Sequence, residues 1–326
     1  MNPLWQELVR SARSVKGWLP TTTGRRVRFI AWASLVSQTL IVGTGGAVRL
    51  TGSGLGCPTW PRCTADSFIT TPEMGIHGIV EFANRLLTFV LVIIALVAFA
   101  FVVRMRRERP ELLRLSIALG IGIPAQAVIG GITVLTELNP WIVGFHFVVS
   151  AVLVALATVF VHRVYRGPAS STFAAPPRVR MLGLATAVGA WITVLVGIVV
   201  TGSGPHAGDH GAARNGLDPE LVQHIHAWPT YITAALSVLL LVAAVRLGQS
   251  TLVRAVVVLL LVEGVQIAVG VAQARLGLPE ILVGVHMVLA CVLIAAITRV
   301  LLVMRVPRAE LGSRSLASVD PQLVIR

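Results

Sequence analysis

Of the 326 residues, 55% are hydrophobic and only 13% are charged, and the mean hydropathy is +0.83. A soluble domain carries about 25% charged residues, so this composition excludes an ordinary water-soluble enzyme. The net charge of +13 sits in the connections between apolar runs, which excludes a basic nucleic-acid-binding face.

Taken in chain order, residues 1–27 form a tail too polar for a cleavable signal peptide. Eight apolar runs follow, at about 28–49, 79–103, 112–134, 141–165, 180–201, 221–245, 252–274 and 280–304. Each is long enough to cross a bilayer as a helix of about 20 residues. They lack the polar faces at helical period that a large soluble helical core needs. With an inside amino terminus, the inner segments hold 22 of the 27 Lys and Arg residues. This positive-inside bias predicts cytoplasmic termini and a plasma-membrane location, with anionic lipid against the basic inner surface. The polar tail from Arg305 to Arg326 carries no readable structure.

Cys57 and Cys63 share the first outer loop, in CPTWPRC, and Cys291 lies inside the last run, where a small packing residue is expected. An oxidising outer compartment favours a Cys57–Cys63 disulfide. Closing so short a loop stabilises by about 2 kcal/mol on the chain-entropy estimate. A structural clip and a redox or loop-shaping role both fit.

The chain repeats. The stretch from Pro124 aligns without a gap with that from Glu263, placing Gln126 on Gln266, Gly130 on Gly270, Gly144 on Gly284 and His146 on His286. The first runs of the two halves end alike, VRLTGSG from Val48 and IVVTGSG from Ile198. An even number of helices per half gives both halves one orientation, so a pseudo-two-fold axis along the membrane normal is expected. The fold class is an all-α integral membrane protein, with eight transmembrane helices arranged as two pseudo-two-fold-related four-helix bundles. The domains are a cytoplasmic tail (1–27), an N-terminal four-helix half (28–166), a cytoplasmic linker (167–179), a C-terminal four-helix half (180–304) and a second tail (305–326).

The second run opens with HGIVEFANRLLTF, whose His77, Glu81, Asn84 and Arg85 fall along one helical face. Ionisable groups are expensive at membrane depth, so a use for them is expected. In the sixth run Glu81 corresponds to Gln223, Asn84 to His226 and Arg85 to Ala227. The second half therefore has His226 and His286 near the outer ends of two helices, and the first half has Asn84 and His146. Two histidines at equal depth on neighbouring helices suit the axial ligation of haem. Interhelical hydrogen bonding is the plainer use. Zinc is disfavoured because no third or fourth ligand converges. His224 should point away from His226, His206 and His210 read as solvated loop residues, and His162 as interfacial.

The eight-helix tandem repeat, GGAVRLTGSGLGCPTWPRC, EFANR and the outer-end histidines together resemble the bacterial haem A synthase family, over residues 28–304. The resemblance implies oxidation of the methyl group of haem O to the formyl group of haem A, by successive hydroxylations with water-derived oxygen and loss of water, in cytochrome oxidase assembly. It implies haem b as cofactor on His226 and His286 in the second half, and haem O as substrate in the first half, near His146, Asn84 and Arg85. Glu81 matches the family's functional carboxylate, acting as a proton acceptor or stabilising a cationic intermediate. Cys57 and Cys63 match its outer-loop pair. Arg85 pairs with Glu81 or grips a haem propionate. Haem O synthase and an electron acceptor are the implied partners, and a homo-oligomer is compatible with the pattern. Two departures stand out. Asn84 occupies a position where many members carry histidine, which leaves His146 as sole axial ligand. The second outer loop has no cysteines. A bis-histidine electron-transfer subunit explains His226 and His286 but not Glu81 or the cysteine pair. A parallel-repeat transporter would need broken helices and more midplane polar residues than Gln126, Gln266 and Glu263.

Overall fold

The structure, a computed structural model, describes residues 19–307. What was expected of residues 1–18 and 308–326 lies outside the described residues. Among these, eight helices are long and apolar enough to span a membrane. They are α1 (Arg25–Leu50), α2 (Gly75–Val102), α3 (Pro110–Leu135), α4 (Pro140–Arg166), α5 (Pro177–Ser203), α6 (Pro219–Arg246), α7 (Ser250–Arg275) and α8 (Glu280–Val303). The protein is a multi-pass membrane protein.

Local chemistry sets the helix ends. Pro110, Pro140, Pro177 and Pro219 start their helices, where a missing N–H costs nothing. Asn139 caps α4 by accepting from Trp141 N at 3.0 Å, and Asp218 caps α6 by accepting from Glu220 N and Leu221 N at 2.9 and 3.0 Å. Helix α2 begins earlier than its apolar run, at Gly75, so the polar stretch HGIVEFANR is helical.

Each half packs its four helices in sequence, and its first helix also touches its fourth. The halves meet through those same elements, with α4 against α8, α1 against α8, and α4 against α5. Repeat-related glycines let these backbones approach. A Cβ on Gly144 would lie 2.7 Å from Ile198 Cγ2, and one on Gly284 would lie 3.2 Å from Leu50 Cδ1.

The two ends of the bundle differ. At the end where Leu19 and Pro307 lie, each half has a packed apolar core. One core joins Val27, Ala31, Val102, Leu112 and Phe160, and the other Leu240, Leu252, Leu259, Ile294 and Val300. Toward the opposite end the bundle is hollow, with a cavity of about 1110 Å³ lined by all eight helices.

One element was not legible in the sequence. Strand β1 (Ala169–Phe173) of the linker pairs antiparallel with strand β2 (Arg305–Pro307). The start of the C-terminal tail, read as structureless, is thus held to the linker between the halves. Phe173 lies between the guanidinium groups of Arg180 and Arg305, at 4.7 and 4.6 Å from its ring centre, a pair of cation–π contacts. Two charged neighbours of one aromatic ring are invisible to a hydropathy pattern.

Candidate functional site

The cavity gathers the residues singled out from the sequence. Glu81, Asn84, Arg85, His146, His226 and His286 all line it. At about 1110 Å³ it exceeds the roughly 300–1,000 Å³ of a single small-molecule pocket. Among the described residues, seven buried side-chain polar atoms have no hydrogen-bond partner, and every one belongs to a cavity-lining residue. Three of them are the Nδ1 atoms of His146, His226 and His286. Buried polar atoms are rarely left alone, so their concentration in one volume marks a binding site.

Each histidine ring is seated on a glycine of the preceding helix. A Cβ on Gly130 would lie 3.3 Å from His146 Cε1, one on Gly270 3.1 Å from His286 Cε1, and one on Gly197 3.0 Å from His226 Cε1. Gly130 and Gly270, which the repeat sets in correspondence, are therefore ring seats. Gly270→Val is expected to push the His286 ring out of line and to lower the haem content of the purified protein, read from its visible spectrum.

The backbones are fixed next to the rings. Gln126 Nε2 donates to the carbonyl of His146 at 3.2 Å, and Gln266 Nε2 to that of His286 at 3.0 Å. Gln126 also donates to Ser150 Oγ. These glutamines, weighed as a transport path, instead tie α3 to α4 and α7 to α8. Their helices run unbroken past them.

His226 and His286 face each other with ring centroids 6.4 Å apart and planes at 78°. Two metal–nitrogen bonds of about 2 Å, together with the half-width of each ring, span about 6 Å. The pair therefore fits a metal held between two imidazoles. Among the described residues no group of three or more His, Cys, Asp or Glu side chains converges. Two facing imidazoles without further side-chain ligands suit a metal whose other ligands come from a bound macrocycle.

The first half is built differently. Glu81 is 5% exposed. Its Oε2 accepts from Cys57 N at 2.5 Å, and its Oε1 accepts from Arg85 Nε at 3.1 Å and Nη2 at 2.5 Å. Arg85 donates further to the carbonyls of Cys57, Thr59 and Arg62 at 3.1, 3.0 and 3.2 Å. Of the two uses weighed for Arg85, pairing with Glu81 is present, and one Nη1 N–H is left over. The carboxylate and guanidinium together pin the outer loop to α2. In that loop Cys57 and Cys63 are joined as a disulfide, and Trp60 lies so close over Gly131 that a Cβ there would clash with its ring. Replacing both cysteines by serine is expected to lower stability by about 2 kcal/mol on the loop-entropy estimate, measured as an earlier thermal transition in detergent.

Asn84 accepts a hydrogen bond at Oδ1 from Thr44 Oγ1 at 2.7 Å. His77 stays outside the cavity, exposed, with Nδ1 2.9 Å from Ser53 Oγ. His224 is exposed while His226 is half-buried, but His224, expected to point away, also borders the cavity. His206, expected to be solvated, is instead within 2.9 Å of the Leu278 carbonyl through Nε2, and its own carbonyl accepts from Arg49 Nε at 2.7 Å. Arg49 also donates to the Thr201 carbonyl at 2.9 Å, so it bridges the outer ends of the halves. Sequence reading missed this latch, and weighed Glu263 only as part of a transport path, whereas its Oε1 accepts from Ser237 Oγ at 2.8 Å.

The family model described as cytochrome oxidase assembly protein, COX15-CtaA, matches residues 28–298. The chain belongs to this family. Similar proteins within it include the Heme A synthase of Geobacillus thermodenitrificans, 32% identical over 117 residues, covering 36% of each chain. The Heme A synthase of Bacillus pumilus is 33% identical over 139 residues, covering 41% of this chain and 43% of that one. That of Lysinibacillus sphaericus is 29% identical over 144 residues, covering 44% and 46%. The chain thus spans between about a third and a half of the length of the curated relatives it matches. For a member of the COX15-CtaA family, the glycine-seated histidines and the outer loop locked to α2 are the two constructions a mechanism has to use.

Proposed function

We propose that this protein oxidises haem O to haem A, as an oxidoreductase of the plasma membrane with both termini in the cytoplasm. The observation that carries this reading is the inequality of the two halves of one cavity. One half offers two facing histidines and a Glu263 bound to Ser237, and the other a single histidine with a buried Glu81–Arg85 pair under the outer loop. The names of the relatives, each a Heme A synthase, support the same substrate and product.

In this reading His226 and His286 hold haem b, and residues 180–304 are the cofactor half. Haem b held there would supply one-electron redox capacity, which ligation by two histidines suits. Residues 28–166 are the substrate half, where His146 binds the iron of haem O. Conversion of a methyl to a formyl group with oxygen from water releases both electrons and protons. A proton acceptor is therefore required beside the reacting carbon. Glu81 meets the requirement. A carboxylate has about four lone-pair sites, and three are taken by Cys57 N and two Arg85 N–H groups. The remaining site accepts a proton, or faces positive charge developing on the oxidised carbon. Arg85 positions Glu81 and holds the loop over the cavity. Trp60, seated on Gly131, narrows the way for water from the outer side. The counterpart of Glu81 in the second half is neutral Gln223, and the carboxylate of that half, Glu263, lies on α7 bound to Ser237 rather than under an outer loop. Electrons leave through an acceptor outside the chain, and haem O synthase is the expected source of substrate.

The test is production of the chain together with a haem O synthase in cells that make no haem A. Haem A among the extracted haems is the expected result. Haem O alone, with the protein folded in the membrane, would refute the activity.

A further inference from the structure

We propose that the substrate half holds an open coordination position for a small exogenous ligand, under the amide of Asn84. The proposal rests on the reading of His146 as the iron ligand of that half. In the cofactor half two imidazoles face each other. In the substrate half Asn84 lines the same cavity as His146 and stands at the repeat position of His226, and a neutral carboxamide is a poor ligand for haem iron beside the imidazole, thiolate, thioether and phenolate ligands that proteins use. No other histidine takes its place. His77 does not line the cavity and lies against Ser53 Oγ, while His206 Nε2 is at the Leu278 carbonyl.

Asn84 is nevertheless held in one orientation. The Thr44 hydroxyl has a single proton, and its contact with Asn84 Oδ1 at 2.7 Å is shorter than that with the Ile41 carbonyl at 3.1 Å. With Oδ1 accepting, the other end of the amide, Nδ2, is a pure donor. A Cβ on Gly45 would lie 4.0 Å from that nitrogen and meet nothing nearer, so the glycine leaves room beside it. An oriented donor with space beside it, in a cavity and three residues from Glu81, suits a ligand with a lone pair on its outer atom. Water, cyanide and carbon monoxide form that class. Thr44 is a positioning residue, and Asn84 is the group that touches the ligand.

The experiment uses the full chain, purified in detergent from a host that makes haem O, reduced with dithionite and exposed to carbon monoxide. Haems are extracted from the same sample and separated by chromatography. Expected is a carbon monoxide adduct of the haem O or haem A fraction, with the haem b absorption unshifted. Asn84→His is expected to convert that fraction to a six-coordinate spectrum and to abolish the adduct, since Gly45 leaves room for a ring. Asn84→Leu and Thr44→Val are expected to keep the adduct but to raise its C–O stretching frequency together, because both remove the oriented donor. A sample holding both haems that forms no adduct would overturn the proposal, as would an Asn84→His protein with unchanged spectrum and adduct, or a C–O stretch that neither Asn84→Leu nor Thr44→Val moves. A sample holding haem b alone would overturn the substrate-half reading itself, and the chromatogram separates that failure from the others.

Discussion

Alanine at His226 or at His286 is expected to empty the cofactor half of haem b and to stop conversion of haem O. The two rings stand 6.4 Å apart in the cavity, and in the proposed reading they would hold the haem b iron between them. Any loss above about 1.4 kcal/mol lowers affinity tenfold, and removing a ligand to iron exceeds that. The reduced-minus-oxidised spectrum of the purified protein should therefore lose its b-type bands in either variant. His210→Ala is the control, exposed and outside the cavity, and should keep them. If the bands survive in both His226→Ala and His286→Ala, the facing pair has no part in haem binding.

The second large effect is expected at Glu81. A positioned acid–base group contributes about 10²–10⁴ in rate, so Glu81→Gln should slow conversion by about that factor while leaving haem b in place. Glutamine keeps an oxygen to accept from Cys57 N or Arg85, so the loop has a route to stay docked. The Glu81–Arg85 pair is largely buried and holds the outer loop, so a merely structural role would show as lost stability or lost loop docking, with turnover per folded protein unchanged. Timed chromatography of haem O and haem A in membranes holding equal protein distinguishes the two. Conversion at the wild-type rate by a folded, haem b-containing Glu81→Gln protein would remove Glu81 from the chemistry.

What could be read in the sequence had a period or a repeat behind it. The eight spans follow from hydropathy, and the correspondences of His146 with His286 and of Gly130 with Gly270 follow from one ungapped offset. The structure gives those correspondences a physical content, since each glycine is the seat of the histidine ring that shares its offset. Glu81 stood out in the sequence because a carboxylate at a membrane helix mouth is costly. Its partner at Cys57 N was not, because a backbone donor in a loop carries no sequence signal. Arg49 holding the His206 and Thr201 carbonyls, and Arg305 stacked on Phe173, were missed for the same reason. Each joins segments more than a hundred residues apart through atoms that every residue has, or through one aromatic face.

The division of labour between the halves is tested most directly by the haems that stay bound after purification from a host that makes haem O. Wild-type protein should yield haem b together with haem O or haem A. His226→Ala should lose haem b, and His146→Ala should lose only the other haem. Wild-type protein carrying haem b alone, or two variants that lose the same haem, would contradict it.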